Sequence, residues 1–170
     1  MEITTAGLND IPELILLING AYRGEGAKKG WTTEADLLDG TRTNVEMLEK
    51  LMGDVNGVLL KCVDDHKRII GCVNLQKHGA RLYLGMLTVS PELQGGGVGK
   101  KMLLAAVDYA KSHGCSAIYM TVISVRHELI AWYERHGYVK TGAKKPFPVG
   151  PAFGIQKQPL EMIVMEKVVS

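Results

Sequence analysis

The stretch Leu87-Thr88-Val89-Ser90-Pro91-Glu92-Leu93-Gln94-Gly95-Gly96-Gly97-Val98-Gly99-Lys100-Lys101 limits the fold of this chain more than any other. The residues before it, Arg81 to Val89, read as a strand, and those after it, Val98 to about Ser112, read as an apolar helix that His113-Gly114 stops. A strand that passes through a cluster of glycines straight into a helix commits this region to a sheet with helices packed on it. Glycines tolerate φ > 0, so successive N–H groups can converge on one concavity, and the helix adds the positive end of its dipole. The turn is therefore expected to hold an anion, and a phosphate fits without a dedicated side chain.

Spacing separates the phosphate-binding alternatives. A P-loop needs glycine five residues before Gly99 and a hydroxyl two after it, but those places hold Gln94 and Lys101. A dinucleotide Gly-x-Gly-x-x-Gly fails as well, because the third glycine is replaced by Lys100 in one frame and by Met102 in the other. The pattern that remains is Gln-x-x-Gly-x-Gly after a strand ending in Val-x-Pro. Lys100 and Lys101 add at most a diffuse attraction for anions.

Period-2 and β-branched runs at Gly57–Val63, Arg68–Gln76 and Arg81–Val89, divided by short polar connectors, predict an antiparallel meander. Glu2–Thr5 reads as an edge strand. Asn9 or Asp10 is placed to cap a helix carrying Ile11, Leu14, Ile15 and Ile18, and Thr43 with Glu46 forms a predicted capping box for a helix through about Met52. Cys115–Ile123 reads as a buried strand, Glu128–His136 as a helix, and Gly137–Gly142 and Pro159–Val168 as strands. The order β-α-α-β-β-β-α-β-α-β-β predicts an α/β (α+β) fold: a mixed, mostly antiparallel sheet flanked by helices, in a single domain over residues 1–170. Residues 23–43 form a long connection of the kind that usually serves function.

Composition narrows the classes. Apolar residues make up 46% of the 170 residues, and the net charge is only +2, which gives nucleic acid little to bind. The N-terminus lacks a basic region followed by an apolar block, and no apolar run approaches the ~20 residues that span a bilayer, so a cytoplasmic chain without membrane contact is expected. Cys62, Cys72 and Cys115 lack metal-binding or redox spacing and read as buried free thiols; no metal site is expected.

Val89 to Leu103 resembles the acyl-CoA motif of the Gcn5-related N-acetyltransferase (GNAT) superfamily, Gln/Arg-x-x-Gly-x-Gly/Ala. Leu129-Ile130-Ala131-Trp132-Tyr133-Glu134-Arg135-His136-Gly137-Tyr138 is similar to the family's second motif, Ala-x-x-hydrophobic-Tyr-Glu-Lys-x-Gly-Phe. The element order matches as well, so the likeness extends from Glu2 to Lys167. It implies splayed central strands, with Leu87, Thr88 and Val89 pairing with the pantetheine arm of acetyl-CoA, and Gln94, Gly95, Gly96, Gly97, Val98 and Gly99 wrapping its pyrophosphate. Tyr133 takes the place of the acid that protonates the departing thiolate. Seven residues before it many members carry asparagine; here Arg126 stands there, as a cofactor candidate toward a phosphate or as a partner of Glu128.

The implied activity is acetyl transfer to a primary amine of a small molecule or peptide by direct attack, with a backbone N–H of Leu87 or Thr88 polarising the carbonyl. The alternative is a non-catalytic acyl-CoA-sensing module. The central strands carry no Asp or Glu, so a water chain or a loop group must accept the proton; Glu34, Asp36 and Asp39 in the long connection are the acidic candidates, Glu34 foremost. They would also attract a cationic amine. A homodimer is compatible with all of this.

Overall fold

The computed structural model describes residues 1–22, 38–39, 42–148, 155–158 and 160–169. Along the chain run β1 (Glu2–Thr5), α1 (Ile11–Tyr22), β2 (Leu38–Asp39), α2 (Val45–Met52), β3 (Gly57–Val63), β4 (Ile69–His78), β5 (Arg81–Val89), α3 (Val98–Ser112), β6 (Ala117–Ile123), α4 (His127–Arg135), β7 (Val139–Pro146), β8 (Ile155–Gln156) and β9 (Glu161–Val168). Seven strands form one sheet in the order β1-β3-β4-β5-β6-β9-β7, antiparallel at every step except the parallel pair β5–β6. β2 and β8 form a separate antiparallel ribbon. Among the described residues no helix is long and apolar enough to cross a membrane.

Helices cover both faces of the sheet. α3 buries Val98, Met102, Leu103, Ala106 and Ala110, spaced at helical intervals, against Val73, Leu75, Leu82 and Leu84 of the strands. On the other face α1 buries Leu14, Ile18 and Ala21 beside Leu48 of α2 and Leu59, Cys72 and Met86 of the sheet. Each fully buried Leu or Ile side chain contributes about 1.5–3 kcal/mol, so both layers are fastened chiefly by these stripes.

The side chains of β5 change parity partway along the strand. Leu82 and Leu84 face α3, and strand alternation would send Leu87 and Val89 to the opposite face, yet both lie in the α3 layer while Met86 joins the α1 layer. The cause is a bulge: Cys72 pairs with Thr88 and Asn74 with Gly85, so β5 spends three steps where β4 spends two. Met86 absorbs it at φ 53°.

Two capping expectations are corrected. Asn44, not Thr43, caps α2, its Oδ1 accepting from the Met47 N–H at 2.9 Å. Thr43 is instead buried and fixed by Asn19 of α1, whose Oδ1 accepts from the Thr43 N–H at 2.9 Å. Before α1, residues 8–10 form a 3-10 turn in which the Asp10 carboxylate accepts from the Gly7 N–H and meets Lys61 at 2.9 Å rather than capping the α-helix. β6 begins at Ala117, with Cys115 just before it.

Cys62, Cys72 and Cys115 are all free and buried. Burial pushes the Cys72 thiol up to about 12, with the Thr88 hydroxyl beside it opposing the rise, and raises Cys62 as well. An ordinary thiol of pKa about 8.5 is roughly a quarter ionised at pH 8, so these are poor nucleophiles. Ellman's reagent at pH 8 should therefore leave the native protein unlabelled over minutes and label all three cysteines in denaturant; rapid labelling of the folded chain would contradict their burial.

Candidate active site

β5 and β6 pair only at Arg81–Ala117, Leu82–Ile118 and Tyr83–Tyr119, after which they part. The gap is a cavity of about 230 Å³ lined by residues 84–87 of β5 and 120–123 of β6, and closed by Tyr22, Arg42, Arg126, Leu129, Tyr133 and Phe147 among others. Ser90 donates its N–H to the Ile70 carbonyl on β4 at 2.9 Å. By strand alternation Thr88 also addresses β4, while Leu87 and Val89 turn toward the gap. The Tyr22 hydroxyl donates to the Leu87 carbonyl, and Thr88 Oγ1 donates to the Met86 carbonyl at 2.9 Å, so the bulge is held from both sides.

A second depression lies farther along β5, lined by Val89, Gln94, Gly95, Gly97, Gly99, Lys100, Trp132 and Arg135. Gly95 and Gly97 adopt φ of 95° and 87°, and Gly97 begins α3 without any side-chain cap. The first amides of the helix are thus left for an external acceptor. Gly99 is required for a different reason: a Cβ there would sit 3.0 Å from Cζ2 of Trp132, so the indole can pack on the start of α3 only because the position is bare. Gln94 donates its Nε2 to the Val89 carbonyl at 3.2 Å, tying the turn to the strand end. Lys101 is engaged by the Met1 carbonyl, which leaves Lys100 as the lysine facing the depression. Positive amides, Lys100 and Arg135 fit a pyrophosphate.

α4 joins the two depressions, giving Tyr133 to the cavity and Trp132 and Arg135 to the turn. Tyr133 is 5% exposed, wedged edge-on against Trp132 and Tyr138 at ring-centroid distances of 5.2 and 5.7 Å. Burial pushes its phenol well above the usual value, with Tyr22 adding to the rise and the Arg126 cation opposing it. The phenol therefore stays protonated at neutral pH.

Of the residues singled out in the sequence, Leu87, Arg126 and Tyr133 meet at the cavity, and Val89, Gln94, Gly95, Gly97 and Gly99 meet at the turn. Thr88 is fully buried beside them, Val98 packs into the α3 core, and Gly96 closes the turn through its N–H to the Leu93 carbonyl at 3.1 Å. Arg126 lines the cavity and is not among the residues around the glycine turn; Arg135 is the arginine there. Glu34 and Asp36 lie outside the described residues, and of Asp39 only the backbone pairing is described. Tyr22, Arg42 and Tyr83 carry no motif that marks them in the sequence, whereas Arg135 stands in the second family motif at the place of its lysine. Tyr22 directly precedes the long connection and Arg42 lies near its end, the one signal that pointed toward them. Among the described residues no three His, Cys, Asp or Glu side chains converge as a metal site.

The acetyltransferase (GNAT) family model matches residues 19–138, which contain both the glycine turn and Tyr133. The chain belongs to the GNAT acetyltransferase family. A mycothiol acetyltransferase of Renibacterium salmoninarum is 27% identical over 136 residues, 75% of this chain and 37% of that protein. An acetyltransferase of Agrobacterium fabrum is 32% identical over 75 residues, 43% of this chain and 53% of that protein. The chain thus spans about a third to a half of the length of the curated relatives it matches. In fold it is similar to the ribosomal-protein-S18-alanine N-acetyltransferase of Escherichia coli, with TM-score 0.74, 14% identity and coverage of 99% of this chain and 94% of that one. GNAT enzymes use acetyl-CoA as cosubstrate.

The turn can be tested on its own. Nothing lies within 4 Å of a Cβ added at Gly97, so Gly97→Glu should fold at a backbone cost of about 1–2 kcal/mol. Its carboxylate would oppose the pyrophosphate, and acetyl-CoA affinity by calorimetry should fall by ~10-fold or more. Wild-type affinity in the folded variant would remove the turn from the site.

Proposed function

We propose that this GNAT chain transfers an acetyl group from acetyl-CoA to a primary amine by direct attack, within the gap between β5 and β6. The observation that carries the reading is Tyr133: a buried phenol lining the cavity where two strands separate, on the helix that also borders the glycine turn. Acetyl-CoA would supply the activated thioester. The turn would hold its phosphates, and the gap-facing peptide groups of Leu87 and Val89 would align the pantetheine arm as an added strand.

The neutral amine adds to the thioester carbonyl, and negative charge develops on oxygen. The Leu87 N–H, turned toward the gap by the Met86 bulge, is the donor best placed to stabilise that charge. On collapse the carbon–sulfur bond breaks, and Tyr133 gives its proton to the thiolate. The amine's proton must leave by another path. Tyr22 and Arg42 both line the cavity, so the connection between them starts and ends there, and Glu34 within it is proposed as the base. In a sensing module without turnover Tyr133 would serve packing alone, against Trp132 and Tyr138.

Tyr133→Phe should bind acetyl-CoA within about 2-fold of wild type and turn over ~10-fold or more slowly. For the wild type, kcat/KM should rise with pH as the acceptor amine loses its proton. It should show no fall near pH 10 from Tyr133, whose pKa is raised. Equal turnover in Tyr133→Phe would reduce Tyr133 to packing.

A further inference from the structure

At the fork where β5 and β6 part, an aromatic side chain is laid lengthwise over a glycine. Tyr83 is the last residue of β5 to pair with β6, opposite Tyr119, and it lines the cavity. Its ring does not stand clear of the strand. A Cβ at Gly85 would lie 2.7 Å from Cε2 of Tyr83, 2.9 Å from its hydroxyl oxygen and 3.0 Å from Cζ, so the outer edge of the ring rests on the bare backbone two residues on. The hydroxyl end of the ring thus points along β5 in the direction of Leu87. Two neighbours hold this pose. The Tyr119 ring lies 5.4 Å from that of Tyr83, and the His78 ring lies 6.1 Å away and within 16° of parallel to it. Tyr119 is itself clamped. Its hydroxyl lies 2.6 Å from His78 Nδ1, the Arg81 guanidinium stands 3.9 Å from its ring centre, and Arg81 meets Glu166 of β9 at 3.3 Å.

Resting on the acetyl-transfer reading, we infer that Tyr83 sets the length of the acyl group this chain accepts, limiting the donor to acetyl-CoA and its shortest homologues. With its phosphates at residues 95–99 and its pantetheine along 87–89, coenzyme A runs down β5 against the direction of the chain. Whatever the thioester carries is therefore aimed at the fork. Strand residues advance about 3.3 Å each, so roughly 7 Å separates Leu87, the proposed donor to the carbonyl, from Gly85. The ring edge on Gly85 takes up much of that span, because non-bonded carbons keep about 3.5–4 Å apart. A methyl group fits in what is left, and a chain of four or more carbons meets the phenol. The wall around this space suits an alkyl end, with Leu84, Met86, Met120 and Val122 lining the same cavity. Gly85 is what lets the ring lie there, so the two residues act as one device. Tyr83 makes and breaks no bond; it discriminates by volume, and in a packed pocket one methylene too many is rejected by about 10-fold or more.

The test is calorimetric titration of the purified chain with acetyl-, butyryl- and hexanoyl-CoA, which needs no knowledge of the acceptor. The wild type should bind butyryl-CoA at least ~10-fold more weakly than acetyl-CoA, and hexanoyl-CoA no better than butyryl-CoA. Tyr83→Ala should lift the penalty: acetyl-CoA within about 3-fold of wild type, and butyryl-CoA at least as tight as acetyl-CoA, because the added methylenes gain apolar burial where the ring stood. Tyr83→Phe removes only the foremost atom, so its ratio of butyryl-CoA to acetyl-CoA affinity should fall between the two, and it carries the test should Tyr83→Ala not fold. A wild type that binds the three donors alike overturns the inference, as do variants that weaken all three equally and leave their ratios unchanged. A wild type that binds none of the three overturns the acetyl-transfer reading itself, and this inference with it.

Discussion

Parallel pairing between β5 and β6 ends at Tyr83 and Tyr119, and the site is built around that separation. A central gap in a sheet leaves peptide groups without partners in the interior, which is costly unless something else pairs with them. The molecule offsets part of this locally. Tyr22 reaches from α1 to the Leu87 carbonyl, Gln94 reaches back to the Val89 carbonyl, and the Met86 bulge turns Leu87 and Val89 into the α3 layer. Continuity of the sheet is kept on the outer side, where β6 runs antiparallel to β9 over its whole length and β9 to β7. The two halves of the sheet can therefore part at one end without coming apart.

The course of the chain beyond the gap decides what lies at that end. β5 runs past the gap into the glycine turn, so strand, turn and the start of α3 lie in sequence along one path, and β6 runs past the gap into α4. Each strand of the separated pair thus delivers a helix start to the same end of the sheet. Trp132 on α4 packs against the bare Gly99 of α3, which locks the two helices together beside the turn. Tyr133 is turned the other way into the cavity, boxed by Trp132 and Tyr138. Consecutive side chains on one helix thus reach the cavity and the depression at the glycine turn.

Much of this was legible in the sequence because the signals were local. α3 runs from Val98 to Ser112 as its apolar pattern and the glycines before it required, and the three strands of the meander lie within two residues of their period-2 runs. The bulge was not legible, since it is defined by the count of residues on the neighbouring strand, and Met86 carries no mark of a left-handed backbone. Thr43 and Asn44 are both capping residues, Asn the stronger, and the capping-box spacing to Glu46 pointed to Thr43; Asn19, a partner 24 residues away, instead binds the Thr43 backbone. Arg126 offered a phosphate or Glu128 as partners when read in the chain, but its place at the end of β6 puts it in the cavity. Arg42 carried no signal beyond lying near the end of a long connection, because its place in the cavity depends on α1 and β5 meeting around it.

The central claim is that acetyl-CoA lies along the open edge of β5, with its phosphates at the start of α3 and its thioester in the gap. Backbone hydrogen exchange with and without acetyl-CoA reads this directly, since an added ligand strand protects the amides it bonds. The account predicts slower exchange confined to residues 87–89 and 95–100, with β3 and β7 unchanged. Protection absent from both of those segments, or centred elsewhere in a protein that demonstrably binds acetyl-CoA, would contradict it.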